Sequence, residues 1–160
     1  MKHLVYAMQF NGTADPVDGD PKRLKVHGAG ASCNIVTLVT AEGVDTILHD
    51  VEGGNAAFFS EVYQHEDGAF EEQGTIDFGN DNRIYFKSVG PGRIVEQPSD
   101  ELRQGGVLWR IEKGEGQFKQ ATGLITSNFT LSTQGHVVDH QFGVIYFHQG
   151  REGAQGPGAA

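Results

Sequence analysis

Ala56-Ala57-Phe58-Phe59-Ser60-Glu61-Val62-Tyr63-Gln64-His65-Glu66-Asp67-Gly68-Ala69-Phe70-Glu71-Glu72-Gln73-Gly74-Thr75-Ile76-Asp77-Phe78 decides the fold. Two extended runs, residues 56–65 and 69–78, flank Asp67-Gly68, a favoured pair for a two-residue turn that needs positive φ at both positions. With Glu66 opposite Ala69, one face of this hairpin carries Phe59, Glu61, Tyr63, Phe70, Glu72, Ile76 and Phe78. The other carries Ser60, Val62, Gln64, Gln73, Thr75 and Asp77. The first face is the aromatic one and is expected to be buried.

Outward from this hairpin, short alternating segments bounded by Gly, Asp, Asn or Pro continue in both directions, and no window shows a sustained helical apolar stripe. Downstream, residues 83–89 read as a strand that Gly90-Pro91-Gly92 breaks before residues 93–95. Residues 106–112 put Val107, Trp109 and Ile111 on one side, so Trp109 faces a core. Residues 122–132 and 136–147 form a hairpin around Thr133-Gln134-Gly135. Upstream, residues 3–11 alternate Leu4, Tyr6, Met8 and Phe10 against Val5, Ala7, Gln9 and Asn11. Residues 33–40 and 44–51 pair through Glu42-Gly43. Residues 13–32, rich in Pro, Gly and Asp, read as a long polar connection with only 23–26 as a brief strand, a length typical of lids and binding loops.

The last strand is apolar on both faces, since Phe142, Val144 and Tyr146 alternate with Gly143, Ile145 and Phe147. Its outer face calls for a cover, by a neighbouring subunit in a dimer or trimer or by the folded-over long connection. The expected architecture is all-β, a single antiparallel eight-stranded barrel over residues 1–147. Residues 148–160 hold no apolar side chain larger than Ala and read as a disordered tail. About eight strands is also the size at which a barrel can hold one small ligand.

Composition narrows the partners. With 21 acidic against 12 basic residues, the net charge of -9 repels phosphate backbones and anionic bilayers, so neither nucleic acid nor membrane is expected. Cys33 is the single cysteine, which excludes an intrachain disulfide and fits a reducing, cytoplasmic setting. The apolar run after Lys2 is interrupted by Gln9 and reads as a first strand instead of a secretory signal.

Glu61 and Glu72 become diagonal neighbours about 7–8 Å apart on the aromatic face under this register. Carboxyls enclosed by Phe59, Tyr63 and Phe70 would be raised in pKa and suited to general acid–base work; the alternative is a solvated barrel rim. His136 and His140 lie about 13 Å apart on a strand, too far to share a zinc ion, so no metal is expected. Ser127 lacks the small neighbours and the strand-to-helix turn of a nucleophile elbow. Asn128 shares a face with Leu124, Thr126 and Thr130, where it serves a ligand or its cross-strand neighbours.

Lys113-Gly114-Glu115-Gly116-Gln117-Phe118-Lys119-Gln120-Ala121-Thr122-Gly123 resembles the GG-x-G-x-F-x-x-A/V-x-G run of the allene oxide cyclase and dirigent families, with Lys113 at the first Gly. Gly114 and Gly116 allow a tight turn, Phe118 anchors it, and Gly123 admits neighbouring backbone. The Asp77-Phe78-Gly79 turn within residues 74–86 is similar to the preceding hairpin of the cyclases. The resemblance implies a barrel, often trimeric, whose apolar interior holds an oxylipin- or polyketide-like molecule. It also places Gln9, on the first strand, and Cys33 at pocket positions. The expected function is binding of a hydrophobic small molecule by Gln9, Cys33, Phe59, Tyr63, Phe70, Trp109 and Asn128. A cofactor-free isomerase or cyclase using Glu61 and Glu72 is one form of it. A non-catalytic lipocalin-like binder and an oligomeric assembly module are the alternatives.

Overall fold

Alternating side chains and frequent turns give nine strands in the computed structural model, which describes residues 1–96 and 99–147. The tail expected at 148–160 lies outside the described residues. The strands are β1 Lys2–Val17, β2 Asp20–Val39, β3 Val44–Gln64, β4 Ala69–Asp77, β5 Arg83–Ser88, β6 Gly92–Glu96, β7 Leu102–Glu115, β8 Thr122–Ser132 and β9 His136–Phe147. A 3-10 turn, Gly116–Phe118, follows β7, and there is no α-helix among the described residues. All pairings are antiparallel. They run β3-β2-β1-β9-β8-β7-β5-β4, and β3 also pairs with β4, so the sheet closes in a ring. β6 sits beside β5 in the same gap between β4 and β7, because Gly90-Pro91 interrupts what would otherwise be one strand. The ring therefore has eight positions.

The expected long connection does not exist as a loop. Asp18 and Gly19 adopt φ of 52° and 76°, the two positive values of a two-residue hairpin turn, and β1 and β2 pair continuously from Pro16↔Leu24 to Met8↔Ser32. The prolines that suggested irregular chain fall where the register shifts, between Pro16 and Val17. A lid at residues 13–32 is thereby corrected to two ring strands.

The deciding hairpin is present but one residue out of the expected register, with Phe58 opposite Ile76 and Val62 opposite Glu72. Of the turn residues only Gly68 has positive φ, 80°. Asp67 instead turns its carboxylate to accept from the Ala69 N–H at 3.0 Å, while the His65 N–H donates to the Ala69 carbonyl at 2.8 Å. Glu66-Asp67-Gly68 thus forms a three-residue loop, and the extra residue inverts one strand relative to expectation. β4 keeps its expected inward set, Phe70, Glu72 and Ile76, but β3 turns Phe58 and Ser60 inward. Phe59, Glu61 and Tyr63 face outward.

Inside the ring, Trp109 stacks on Phe86 at 4.1 Å and on Phe58 at 5.7 Å between centroids, and no part of Trp109 reaches solvent. Truncating a buried aromatic of this kind costs about 3–5 kcal/mol. Phe118 closes one end against Phe78, 5.0 Å away. Nearby, Gly123 has φ of 150°, and a Cβ there would stand 2.2 Å from the Val144 carbonyl oxygen. That close approach lets β8 and β9 run together.

Beyond Ser32, β2 and β3 leave the ring. Their register jumps from Ala31↔Asn55 to Cys33↔Asp50, and residues 33–50 continue as a two-stranded ribbon that pairs with no other strand among the described residues.

Candidate functional site

Parity along the strands sends a few polar residues into the ring together with the aromatics, and they gather in two groups. Ser60 from β3 and Trp109 from β7 converge on Glu72 of β4. The Ser60 hydroxyl donates to Glu72 Oε1 at 2.6 Å, and Trp109 Nε1 donates to Oε2 at 3.0 Å. Burial pushes the Glu72 carboxyl up from its ordinary value of 4.5 to about 8; the Ser60 hydrogen bond opposes the rise and the nearby Asp139 charge adds to it. A carboxyl raised this far favours its neutral form at physiological pH. In that state its acid proton can go to Ser60 Oγ, while its other oxygen still accepts from Trp109.

The second group runs along the inner face of β9. Tyr6 donates to Gln141 Oε1 at 2.7 Å, and Gln141 Nε2 donates to Asp139 Oδ2 at 2.7 Å. Ser127 donates to Asp139 Oδ1, also at 2.7 Å. Burial raises the Asp139 pKa against the pull of the Gln141 and Ser127 hydrogen bonds, and burial with the Asp139 charge raises that of Tyr6 well above its usual value. Among the described residues no buried side-chain nitrogen or oxygen lacks a hydrogen-bond partner. The interior polar atoms are thus held in fixed orientations.

Glu72 and Asp139 both border a cleft of about 50 Å³ whose other walls include Phe10, Phe58, Val62, Phe70, Phe129 and Ile94. It has room for a few water-sized groups or the end of a chain. Its lining is mostly apolar apart from the two carboxyls, Ser127, Gln64 and His27.

Of the residues singled out in the sequence, Phe70 and Glu72 line this cleft, and Trp109 lies behind Glu72 and holds it. Glu61 and Tyr63 lie on the outer face of β3 and are absent from this cleft, but they border a second, more open cleft of about 230 Å³ that Glu72 also borders; Tyr63 is 48% exposed, and Phe59 packs externally on His27 at 4.9 Å. Gln9 points outward between the buried Met8 and Phe10. Asn128 is exposed, with Nδ2 3.4 Å from the His140 carbonyl. Cys33 is buried at the foot of the ribbon and is absent from the cleft lining; burial, helped by the Asp50 charge, pushes its thiol pKa up.

No protein-family model, curated protein or solved structure matches this chain.

The chemistry of the cleft stands on its own geometry. Sequence reasoning missed Ser60, Asp139, Gln141 and Tyr6. A signal was present, since Asp139 and Gln141 share parity with Ile145 and pair across to Phe10 and Met8, the apolar set of β1. A neutral carboxylic acid in an apolar cleft, with its pKa near ambient pH, is a competent proton donor to an oxygen atom of a bound molecule. Among the described residues no three His, Cys, Asp or Glu side chains are grouped as metal ligands would be.

Proposed function

We propose that the ring is a small-molecule-binding barrel of the allene oxide cyclase and dirigent type, which admits the end of a hydrophobic, oxylipin- or polyketide-like molecule. In this reading the cleft walls orient the guest, and Glu72 supplies a proton to its oxygen during a cofactor-free isomerisation or cyclisation. The same proton returns when the product forms, so no co-reactant is consumed. The observation that carries the reading is a buried carboxyl, held by Ser60 and Trp109, at the wall of an apolar cleft. The small volume of the cleft, about 50 Å³, supports a slender guest, or one end of a larger one, over a fully enclosed polycyclic molecule.

The test uses oleate as a probe and the Trp109 emission as the signal. Oleate is expected to change that emission saturably in the wild type, and Ala14→Phe, at a residue lining the cleft, is expected to abolish the change without adding a second indole. Native mass spectrometry of protein purified from its source should then show a bound apolar metabolite that Ala14→Phe lacks. An emission indifferent to oleate, together with protein that carries no small molecule, sinks the reading. Once a substrate is in hand, Glu72→Gln should keep binding and lose turnover, whereas Glu61→Gln should change neither.

A further inference from the structure

The ribbon formed by residues 33–50 is physically incomplete. A two-stranded ribbon alone is marginal in water, and among the described residues nothing pairs with either edge of this one. Its cross-strand pairs Ile35–Leu48, Thr37–Thr46 and Val39–Val44 share one face, which bears no charge along that length. Val39 and Val44 at the tip are 75% and 80% exposed. The ribbon carries Glu42, Asp45 and Asp50, with Glu52 at its foot, and no Lys or Arg occurs between Lys25 and Arg83.

A complementary surface lies on the outer face of β8, β9 and β1. There Val5, Val144 and Leu124 form one cross-strand row, flanked by Phe142 and Tyr146. Four of these five are large exposed apolar side chains. The outward positions of these strands, odd residues 3–11 and even residues 122–130 and 136–146, hold no carboxylate in a chain with 21 acidic residues. Lys2 begins β1, and Arg110, itself ion-paired with Glu112 at 2.7 Å, stands opposite Leu124 at the β7 side. Two copies of a chain at -9 repel each other over most of their surface, and least at this face.

We infer that two copies of this chain exchange ribbons, each laying its Ile35–Val39–Val44–Leu48 face across the β8–β9–β1 outer face of the other. The ribbon's seven residue pairs make it about 24 Å long and about 10 Å wide. Counting both sides of two reciprocal contacts, the buried surface is on the order of 1,000 Å², the threshold for a specific interface. The symmetry closes, which prevents open-ended growth.

The test is light scattering on the full chain at micromolar concentration, with a mass twice the 17.3 kDa of one chain expected. Val39→Asp with Val44→Asp should weaken association by about 100-fold or more. The circular dichroism spectrum should not change, because both positions are already exposed. A mixture of Val44→Cys and Leu124→Cys proteins should form a disulfide between copies linking residues 44 and 124. A mass other than that of two chains, an assembly untouched by the double substitution, or cross-linking only between the two copies of residue 44 overturns the inference.

Discussion

Replacing Glu72 by Gln separates the charge of the buried carboxyl from its shape. The amide can donate to Ser60 Oγ and accept from Trp109 Nε1, as the protonated acid does, so the two side chains are equivalent while Glu72 is neutral. Above its ordinary pKa of 4.5 the unfolded chain releases this proton, but the folded chain keeps it until about pH 8. Through that window the native state binds the extra proton, and stability falls as pH rises, by about 1.4 kcal/mol per pH unit. Above about pH 8 both states are ionised and the accumulated loss levels off at about 5 kcal/mol. Glu72→Gln carries no such proton. Urea unfolding followed by the emission of Trp109, the only tryptophan in the chain, measures both proteins at about pH 4, 6 and 9. Near pH 4 the two should be within about 1 kcal/mol of each other, and at pH 9 the Gln protein should be the more stable by several kcal/mol. Parallel stability curves across the range would refute a buried, protonated Glu72.

Adjacent aromatics test the hairpin register. Phe58→Ala should cost about 3–5 kcal/mol and Phe59→Ala less than about 1 kcal/mol in the same urea assay, and the reverse order would restore the sequence-derived register. Gly123→Ala forces a Cβ to 2.2 Å from the Val144 oxygen and should lower stability by about 3 kcal/mol or more. A melting temperature within a degree or so of the wild type would contradict that close approach.

The all-β character and most strand positions were legible because period-two alternation and Gly-bounded turns are local signals. β7 with Trp109 inward, the β8–β9 hairpin and the Gly90-Pro91 break all follow from residues close together in the chain. The two Asp-Gly pairs mark the limit of such reading. Asp18-Gly19 makes the two-residue turn that was expected at Asp67-Gly68, while Asp67 takes the other geometry by turning its carboxylate to the Ala69 N–H. Composition cannot separate these outcomes, and one residue of difference moved Glu61, Phe59 and Tyr63 to the exterior. The site was half legible for the same reason. Glu72 sits on the strand whose parity was right, whereas Ser60 sits on the strand whose parity was wrong. Asp139 escaped because its partners, Ser127 and Gln141, come from positions that only the closed ring brings together.

The break at Gly90-Pro91 bears on how a guest could pass the wall. β6 meets β4 at two residue pairs and β7 at four, yet its Ile94 lines the cleft. Detaching this short segment would break few ladder bonds, so its opening is expected to cost less than global unfolding. Amide protons of β6 should accordingly trade with deuterium well before those at the centre of β7. On the binding reading proposed above, this segment is the part of the wall expected to yield to a guest.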